Sequence, residues 1–275
     1  MDLHASHQPE NYQHFNAKTY LQRRFIAPNG IIDEERGVQP FYLQCYHHFY
    51  QTFHSSWDPT KARLLELGGG PVIYPLISAA PYFADITFAD FSKPNLKQVE
   101  LWVNKDAEAH DWTPYFNHIV GSLEGKVGES QSRVTSLRSK IKTIVTCDIR
   151  KEDPNGILDI GDRSEWFDVI SFNFCCEAVC TTIESYQETL LRLCKLVRPQ
   201  GYLTSLISLE ESWYVNGGEK MFHLGLTFEN VTSSFKQAGF SVEFSDVFPI
   251  PNEAQNILND CKAIAFVVGR KTNSK

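Results

Sequence analysis

A buried apolar stretch that ends in three glycines constrains the fold of this chain more than any other feature. It reads Leu64-Leu65-Glu66-Leu67-Gly68-Gly69-Gly70-Pro71, and the next apolar stretch, residues 86–90, ends in Asp90. The apolar residues predict a strand, and the glycines allow a sharp turn that brings bare backbone close to a ligand. Asp90 follows at about the twenty-residue separation from which an acid reaches ribose hydroxyls in nucleotide-binding sheets. The pattern therefore predicts an α/β sheet with a nucleoside site at its strand ends.

The glycine pattern also restricts which nucleoside can bind. Ile73 stands where a dinucleotide fingerprint has its third glycine, and no Lys-Ser or Lys-Thr pair follows the glycines as in a phosphate-binding loop. A dehydrogenase that uses a nicotinamide dinucleotide is therefore disfavoured. A cofactor without a phosphate chain remains, and S-adenosylmethionine is the leading candidate. Glu66 would then face its ammonium group or, through water, its sulfonium. The alternative interpretation is a plain strand-to-helix turn, which Asp90 makes less favourable.

Length and composition indicate a single domain over residues 1–275, with no linker or charge block dividing it. The chain is 42% hydrophobic and 21% charged, and no apolar run approaches the roughly 20 residues needed to cross a bilayer. The N-terminus lacks the basic start and apolar stretch of a signal peptide. We therefore expect a cytoplasmic protein with no membrane partner, acting as a monomer.

The charged residues and cysteines argue against two other classes of partner. A net charge of −7 disfavours nucleic acid, because phosphate binding requires a basic face. The basic stretch with Arg133, Arg138, Lys140 and Lys142 has helical spacing and is interpreted as a solvated helix. The seven cysteines should stay reduced, and the cluster Cys175, Cys176 and Cys180 lacks the spacing of a zinc site, so we expect no metal.

Strand-like runs alternate with helical ones along the rest of the chain, which predicts a parallel sheet covered on both faces. The predicted strands after the first two are residues 143–147, 167–172, 201–207 and, as an antiparallel edge pair, 240–247 with 263–268. One predicted helix follows a cap at Ser92, and another runs from about Ser185 to Val197. Gly68, Asp90, Asp148 and Asn173 all fall at strand ends, where one crevice would gather them.

The first 60 residues are rich in aromatic side chains, which by themselves indicate helix packing. Placed over the crevice, they would form a lid that excludes water. The aromatic residues of this segment are Tyr12, Phe15, Tyr20, Phe25, Phe41, Tyr42, Tyr46 and Phe49.

Over nearly its full length the sequence resembles the small-molecule amine N-methyltransferases, which include the phenylethanolamine, nicotinamide and indolethylamine enzymes. The residues that carry the resemblance are His14-Phe15-Asn16, Tyr20-Leu21, Leu67 to Tyr74, Leu76 to Ala79, Asp90-Phe91, Asn95-Leu96, Leu123-Glu124-Gly125, Cys147-Asp148, Phe174 to Val179 and Leu209 to Tyr214. The resemblance implies a class I methyltransferase-like, Rossmann-like fold with a mostly parallel seven-stranded sheet. Residues 1–60 would be the N-terminal helical lid and residues 61–275 the core.

The resemblance also implies which residues hold the cofactor, S-adenosylmethionine. The family's cofactor site matches Tyr12, Tyr20, Gly68, Gly70, Tyr74, Asp90, Asn95, Asp148, Ile149 and Asn173. Asp90 and Asn95 suit the ribose hydroxyls, Asp148 the adenine amino group, and the two tyrosines Tyr20 and Tyr74 the carboxylate tail. Val72 stands where a threonine is common and Gly69 where a serine is common, which loosens polar contacts without removing the pocket.

On the acceptor side, Glu177 and Glu211 match the two carboxylates that hold the amine and hydroxyl of phenylethanolamine, and Phe174 and Tyr214 match aromatic residues beside it. Paired carboxylates suit a cationic alkylamine. The amine must lose a proton before it attacks, and we assign binding to Glu177 and the proton path to Glu211. We therefore predict an enzyme that transfers a methyl group to the nitrogen of a small aromatic or biogenic amine.

Departures from both family patterns leave other acceptors and functions open. The phenylethanolamine pattern has lysine at Tyr42, arginine at Asn29 and aspartate at Asn259, and Asp260 could replace this aspartate. The nicotinamide pattern has aspartate at Ile207 and serines at Glu211 and His223. The alternatives are a nicotinamide or pyridine N-methyltransferase, and a non-catalytic member that binds the cofactor or a partner protein.

Overall fold

The structure, a computed structural model, describes residues 12–13, 15–28, 38–152, 157–158, 166–216, 219–250 and 259–272. Its strands are β1 (Arg63–Leu67), β2 (Asp85–Asp90), β3 (Ile141–Thr146), β4 (Phe167–Asn173), β5 (Val197–Leu209), β6 (Trp213–Asn216), β7 (Glu219–Phe222), β8 (Phe240–Pro249) and β9 (Ala263–Lys271). Within the described residues, seven of them form one sheet in the order β3-β2-β1-β4-β5-β9-β8. The first five are mutually parallel, and β9 lies antiparallel between β5 and β8.

Helices cover both faces of this sheet. They are α1 (Ala17–Arg24), α2 (Val38–Phe53), α3 (Tyr74–Ala79), α4 (Lys93–Val103), α5 (Thr113–Phe116), α6 (Ser130–Lys140), α7 (Cys176–Val179), α8 (Ile183–Leu196) and α9 (Phe228–Gln237), with short 3₁₀ turns at His54–Ser56 and Ala80–Tyr82 and a π-helix at Asn117–Leu123. No helix in the described part of the chain is long and apolar enough to cross a membrane.

Alternating strand residues divide the core into two layers. Leu64 packs with the side chains of α2 to α6, whereas its neighbour Leu65 packs with those of α8 and α9. Successive side chains of a strand point to opposite faces, so a strand buried on both sides is mainly apolar, and Glu66 is the buried polar exception in β1. This explains why the run before the glycines shows no polar alternation.

The predicted sheet is confirmed, including the antiparallel C-terminal pair at its edge. The helix expected from Ser185 begins two residues earlier, because Thr182 and Ser185 form reciprocal capping hydrogen bonds around its start. Ser92 is the residue before α4 as expected, but its side chain makes no capping hydrogen bond. Instead its backbone N–H donates to Asp90.

A hairpin of β6 and β7 was missed by the strand analysis. Trp213 pairs with Phe222 and Asn216 with Glu219 in antiparallel register. The sequence signal for it is the Gly217-Gly218 pair between two short apolar runs, which is typical of a two-residue hairpin connection. This hairpin matters because it carries Tyr214 and leads directly to His223.

The interpretation of the basic stretch as a solvated helix is wrong for three of its four residues. Arg133 is buried, forms a bidentate ion pair with Glu124 at 2.7 and 2.6 Å, and donates to the Ile77 carbonyl at 2.9 Å. Arg138 donates to the Trp102 carbonyl and lies over its ring, and Lys140 donates to the Ala80 carbonyl. These three side chains donate hydrogen bonds to backbone carbonyl groups of α3, α4 and the 3₁₀ turn at Ala80–Tyr82. Of the four basic residues, only Lys142 is exposed.

We expect Arg133→Met to lower the free energy of unfolding by about 3 kcal/mol, because the buried Glu124 carboxylate would lose its bidentate partner and keep only the half-exposed Lys126. Urea denaturation measures this change. Lys18→Met is the matched control, since Lys18 and Glu108 form an ion pair with both side chains more than half exposed and should contribute less than about 1 kcal/mol. Equal effects of the two substitutions would contradict a structural role for Arg133.

Candidate active site

A cavity of about 270 Å³ lies where the parallel strands end. Its wall takes residues from the glycine turn after β1, from the ends of β2 and β4, from the segments after β3 and β5, and from the N-terminal residues that lie across it. Open α/β sheets bind ligands at this edge, beside the point where the strand order reverses. Here β1 lies between β2 and β4, so the glycine turn is at that reversal.

The glycine turn is held against the end of β2 by its backbone. Gly68 and Gly69 donate to the Ala89 carbonyl at 2.8 and 3.2 Å, and Gly70 donates to Asp90 Oδ2 at 2.7 Å. Gly68 and Gly70 have φ values of +62° and +61°, a conformation that residues with a Cβ rarely adopt. A Cβ on Gly68 would also overlap Cys175 Sγ, whereas one on Gly70 would meet nothing within 4 Å. The turn thus needs glycine at Gly68 for two reasons and at Gly70 for one.

Asp90 is buried in the wall and accepts three hydrogen bonds. Besides Gly70, the donors are the Ser92 backbone at 2.7 Å and Asn95 Nδ2 at 3.1 Å. Burial raises the pKa of Asp90, and these donors oppose the shift. Each carboxylate oxygen has two acceptor positions. Oδ1 already accepts from Ser92 and Asn95, so the remaining capacity for a ligand hydroxyl is on Oδ2, which accepts only from Gly70.

Glu66 and Asn173 form a buried polar pair at the bottom of the cavity. Asn173 Nδ2 donates to Glu66 Oε1 at 2.9 Å, and Asn173 Oδ1 accepts from Tyr46 and from the Leu206 backbone. Burial raises the pKa of Glu66 to about 8, although its hydrogen bonds to Ser171 and Asn173 oppose this. Glu66 Oε2 is buried and makes no hydrogen bond within the described residues. An oxygen without a partner in a cavity wall fits a hydrogen-bonding ligand group, or a cation whose charge favours the ionised carboxylate.

Asp148 lies at the more exposed end of the cavity. Arg150 binds both of its carboxylate oxygens at 2.8 Å and lowers its pKa. Arg150 also lies over the Phe91 ring at 5.0 Å and is itself part of the wall. The Asp148 carboxylate is therefore held in one orientation beside a flat aromatic surface, an arrangement that suits a nucleobase with an amino group. Ile149 completes this end of the wall.

The opposite end of the cavity carries a cluster of ionisable groups. Glu211 Oε2 lies 2.6 Å from His223 Nδ1, and both residues are buried in the wall. The contact is an ion pair when His223 is protonated, and the Nδ1–H direction departs from a straight hydrogen bond to Glu211. Burial alone would lower the pKa of His223, but Glu211, followed by Glu177 and Asp260, raises it above its ordinary value.

Aromatic side chains cover this end. Phe174, in a left-handed conformation with φ +50°, and Tyr214 belong to the wall, as do Phe15 and Tyr20 from the N-terminal segment. The hydroxyls of Tyr12 and Tyr214 lie 2.6 Å apart and join this segment to the β6–β7 hairpin. The expectation that N-terminal aromatic residues cover the crevice therefore agrees with the positions of Tyr12, Phe15, Tyr20, Phe25 and Tyr42, whereas Tyr46 and Phe49 are core residues of α2.

Two predicted site residues lie behind the wall. Tyr74 begins α3 and stacks on Tyr42 at 5.0 Å and on Phe25 at 5.6 Å, and these two rings belong to the wall. Glu177 is fully buried, and its Oε1 accepts from the Ser208 backbone at 3.3 Å. Burial raises the pKa of Glu177 to about 7, which the nearby His223 opposes. The structure thus does not bring Glu177 into direct contact with the cavity, because it follows the tight turn into α7 and points toward β5.

The other predicted residues all belong to the wall: Tyr12, Tyr20, Gly68, Gly70, Asp90, Asn95, Asp148, Ile149, Asn173, Phe174, Glu211 and Tyr214. Sequence reasoning missed Arg150 and His223 as wall residues. Arg150 follows Asp148 by two residues, a spacing that could have suggested their pairing. For His223 the resemblance gives only a position where the nicotinamide pattern has a serine, and its pairing with Glu211 depends on the hairpin that brings the two together. His14 and Asn29 lie outside the described residues. No group of three or more His, Cys, Asp or Glu in the described part of the chain is arranged to hold a metal ion.

Gly68→Ala and Gly70→Ala separate backbone strain from overlap in the glycine turn. Both impose a left-handed alanine, which costs about 1–2 kcal/mol. Only Gly68→Ala adds the overlap with Cys175, for a further 1–3 kcal/mol, roughly. We expect denaturant unfolding to show the larger loss for Gly68→Ala. Indistinguishable losses would mean that Cys175 moves aside freely.

The stability of the protein should fall as pH rises because of Glu66. The pKa of Glu66 is higher in the folded protein than in the unfolded chain. The contribution of Glu66 to the free energy of unfolding is therefore complete below the ordinary glutamate pKa and is lost as pH rises through about 8. Glu66→Gln should reduce the slope of unfolding free energy between pH 5 and 8 by at most about 1.4 kcal/mol per pH unit. The exposed Glu188→Gln on α8 is the control and should keep the original slope. An unchanged slope in Glu66→Gln would contradict the prediction.

Comparison with known proteins agrees with this geometry. The model of the NNMT/PNMT/TEMT family matches residues 4–272. Phenylethanolamine N-methyltransferase of Sus scrofa is 31% identical over 94% of this chain and 89% of its own length. Nicotinamide N-methyltransferase of Homo sapiens is 29% identical over 94% and 93%.

Among solved structures, the magnesium protoporphyrin IX methyltransferase of Synechocystis with bound SAM has a TM-score of 0.58. It is 10% identical, and the match covers 99% of this chain and 100% of that one. At that identity the likeness concerns the fold, which confirms the Rossmann-like, methyltransferase-like sheet. The match of the family model to nearly the whole chain identifies the protein as a member of the NNMT/PNMT/TEMT family.

Proposed function

We propose that the protein is an enzyme that transfers a methyl group from S-adenosylmethionine to the nitrogen of a small aromatic or biogenic amine. We propose further that it acts as a monomer in the cytoplasm, without a nucleic-acid or membrane partner. One observation carries the assignment: a single cavity joins a glycine turn and the Asp90 carboxylate to a chamber with a buried carboxylate under aromatic rings.

The chain's own residues fit the parts of the cofactor. Asp90 has free acceptor capacity for hydroxyls, Asp148 is fixed for an amino group, and Glu66 has an oxygen without a partner suited to a cationic group. Tyr12, Tyr20, Gly68, Gly70, Asn95, Ile149 and Asn173 complete the proposed cofactor site, with Tyr74 stacked behind it. When bound, S-adenosylmethionine supplies a methyl carbon activated by its attachment to a positive sulfur. Holding the acceptor in line with such a carbon contributes about 7–11 kcal/mol through saved entropy.

The acceptor chamber favours an alkylamine, which is a cation near neutral pH. Glu211 is the carboxylate in its wall, and Phe174 and Tyr214 are the aromatic walls beside it. An ammonium nitrogen has no lone pair, so it must give up a proton before it can attack carbon. Glu211 is placed to accept that proton, and the aromatic covering excludes water from the reacting atoms. Glu177, behind the wall, stabilises the cation without touching it in the fraction of molecules in which this carboxyl group is ionised.

A pyridine such as nicotinamide is the second candidate acceptor, and the position of Glu177 favours it. With Glu177 behind the wall and its pKa raised to about 7, the chamber is less negative than two exposed carboxylates would make it. A pyridine nitrogen has its lone pair available and loses no proton. The two acceptors therefore differ in their need for a proton acceptor.

Methyl transfer from labelled S-adenosylmethionine to phenylethanolamine and to nicotinamide tests the proposal. We expect Glu211→Gln to reduce kcat/KM for phenylethanolamine by about 10²–10⁴-fold, the range for loss of a general base. The adjacent Glu210→Gln is the matched control, because Glu210 is exposed and outside the cavity wall, and should keep the original rate.

Other outcomes would overturn the assignment. Activity on nicotinamide alone, unaffected by Glu211→Gln, would replace the amine with a pyridine. Absence of transfer to either acceptor, together with no binding of S-adenosylmethionine by calorimetry, would leave only a non-catalytic role.

A further inference from the structure

We infer that His223 is the positioning residue that receives, through Glu211, the proton lost by the amine. This inference rests on the proposed function and adds a residue to it. His223 follows β7, Glu211 precedes β6, and the hairpin between them brings the two side chains together at the acceptor end of the cavity.

The geometry supports a proton path that ends on the imidazole. Both side chains are buried in the cavity wall, and Glu211 Oε2 and His223 Nδ1 lie 2.6 Å apart. A lone buried glutamate that takes a proton becomes a neutral acid. With an imidazole at this distance the proton can move on, leaving an imidazolium beside a carboxylate. Such a pair is stabilised by attraction in a site that water does not reach.

The atoms balance along this path. An N–H bond of the ammonium breaks, its electron pair stays on nitrogen as the attacking lone pair, and the proton joins a Glu211 oxygen. That O–H bond then breaks as an N–H bond forms at Nδ1 of His223. The methylated amine leaves as a cation, and the proton returns to solvent when the chamber opens. His223 must be neutral at the start of each turnover, so the rate with an amine should rise with pH as His223 loses its proton.

Groups on four neighbouring segments face His223 and set its proton affinity. They are Glu211 after β5, Glu177 on α7, Asp260 before β9, and Tyr214 of β6, whose ring lies 5.4 Å from the imidazole. The three carboxyl groups favour the imidazolium. Asp260 also accepts from the backbone and side chain of Ser212 and from the backbone of Trp213, which fixes its carboxylate at the start of β6.

The first experiment observes His223 directly by NMR. The protein is labelled in its histidine rings and bound to S-adenosylhomocysteine, and the His223 signal is identified by its loss in His223→Gln. We expect Glu211→Gln to lower the pKa of His223 by about 1–3 units, because an opposite charge is removed at close range. An unchanged His223 pKa would overturn the inference, whether or not the protein transfers methyl groups to amines.

The second experiment measures the pH profile of methyl transfer to phenylethanolamine. We expect His223→Gln to reduce kcat at pH 7 by roughly 10–100-fold, to leave KM for S-adenosylmethionine unchanged, and to remove the limb that follows the His223 titration. His48→Gln is the control, since His48 is exposed on α2 and outside the cavity wall.

The two failures are distinguishable. If the unmodified protein methylates phenylethanolamine but His223→Gln keeps both rate and profile, the role of His223 is wrong and the proposed function stands. If Glu177→Gln removes the pH-dependent limb of the rate profile and His223→Gln does not, Glu177 is the group that holds the proton, and the role of His223 is wrong. If the unmodified protein methylates no amine, the proposed function fails, and the NMR titration alone decides whether the pair exists.

Discussion

The Asp90 carboxylate is the interaction on which the cavity depends. By accepting from Gly70, Ser92 and Asn95 it joins the glycine turn after β1 to the end of β2 and to the start of α4. Three separate parts of the chain thus take their positions from one buried acid. Burial opposes its charge, and its donors compensate. The buried Asp90 carboxylate has two roles: it holds the glycine turn in place, and it keeps the capacity to accept a hydrogen bond from a ligand in the cavity.

A second residue, on the other side of β1, also combines a structural role with a place in the cavity wall. Asn173 ends β4 and uses its amide to bind Glu66 on β1 and to accept from the backbone of β5. A single residue thus links three adjacent strands by hydrogen bonds at the floor of the cavity. The residues that contact a ligand on this floor are therefore also the residues that fix the strand ends relative to each other.

The sheet could be predicted from sequence because it depends on patterns local to each element. The apolar stretches at 64–67 and 86–90 must be strands buried on both faces, and their acids must lie at one edge of a parallel sheet. The placement of Glu177 and His223 depends on tertiary structure. Glu177 reads as an acceptor-side acid by resemblance, yet its side chain turns toward the Ser208 backbone behind the wall. His223 enters the family patterns only as a position where the nicotinamide enzymes have a serine, and the β6–β7 hairpin is what places it beside Glu211. The basic stretch was misinterpreted as a solvated helix for a related reason. Helical spacing alone does not show that Arg133 faces Glu124 and not solvent.

The β6–β7 hairpin contributes both to the covering of the cavity and to the placement of Glu211 beside His223. Its first strand carries Tyr214, whose hydroxyl meets that of Tyr12 in the N-terminal segment, and its second strand leads to His223. Loss of the Tyr12–Tyr214 contact would separate the N-terminal segment from the hairpin, while β6 stays paired with β7. The distance between Glu211 and His223 is set by the same hairpin, because one residue precedes it and the other follows it. The covering of the chamber and the placement of the Glu211–His223 pair therefore depend on the same structural element.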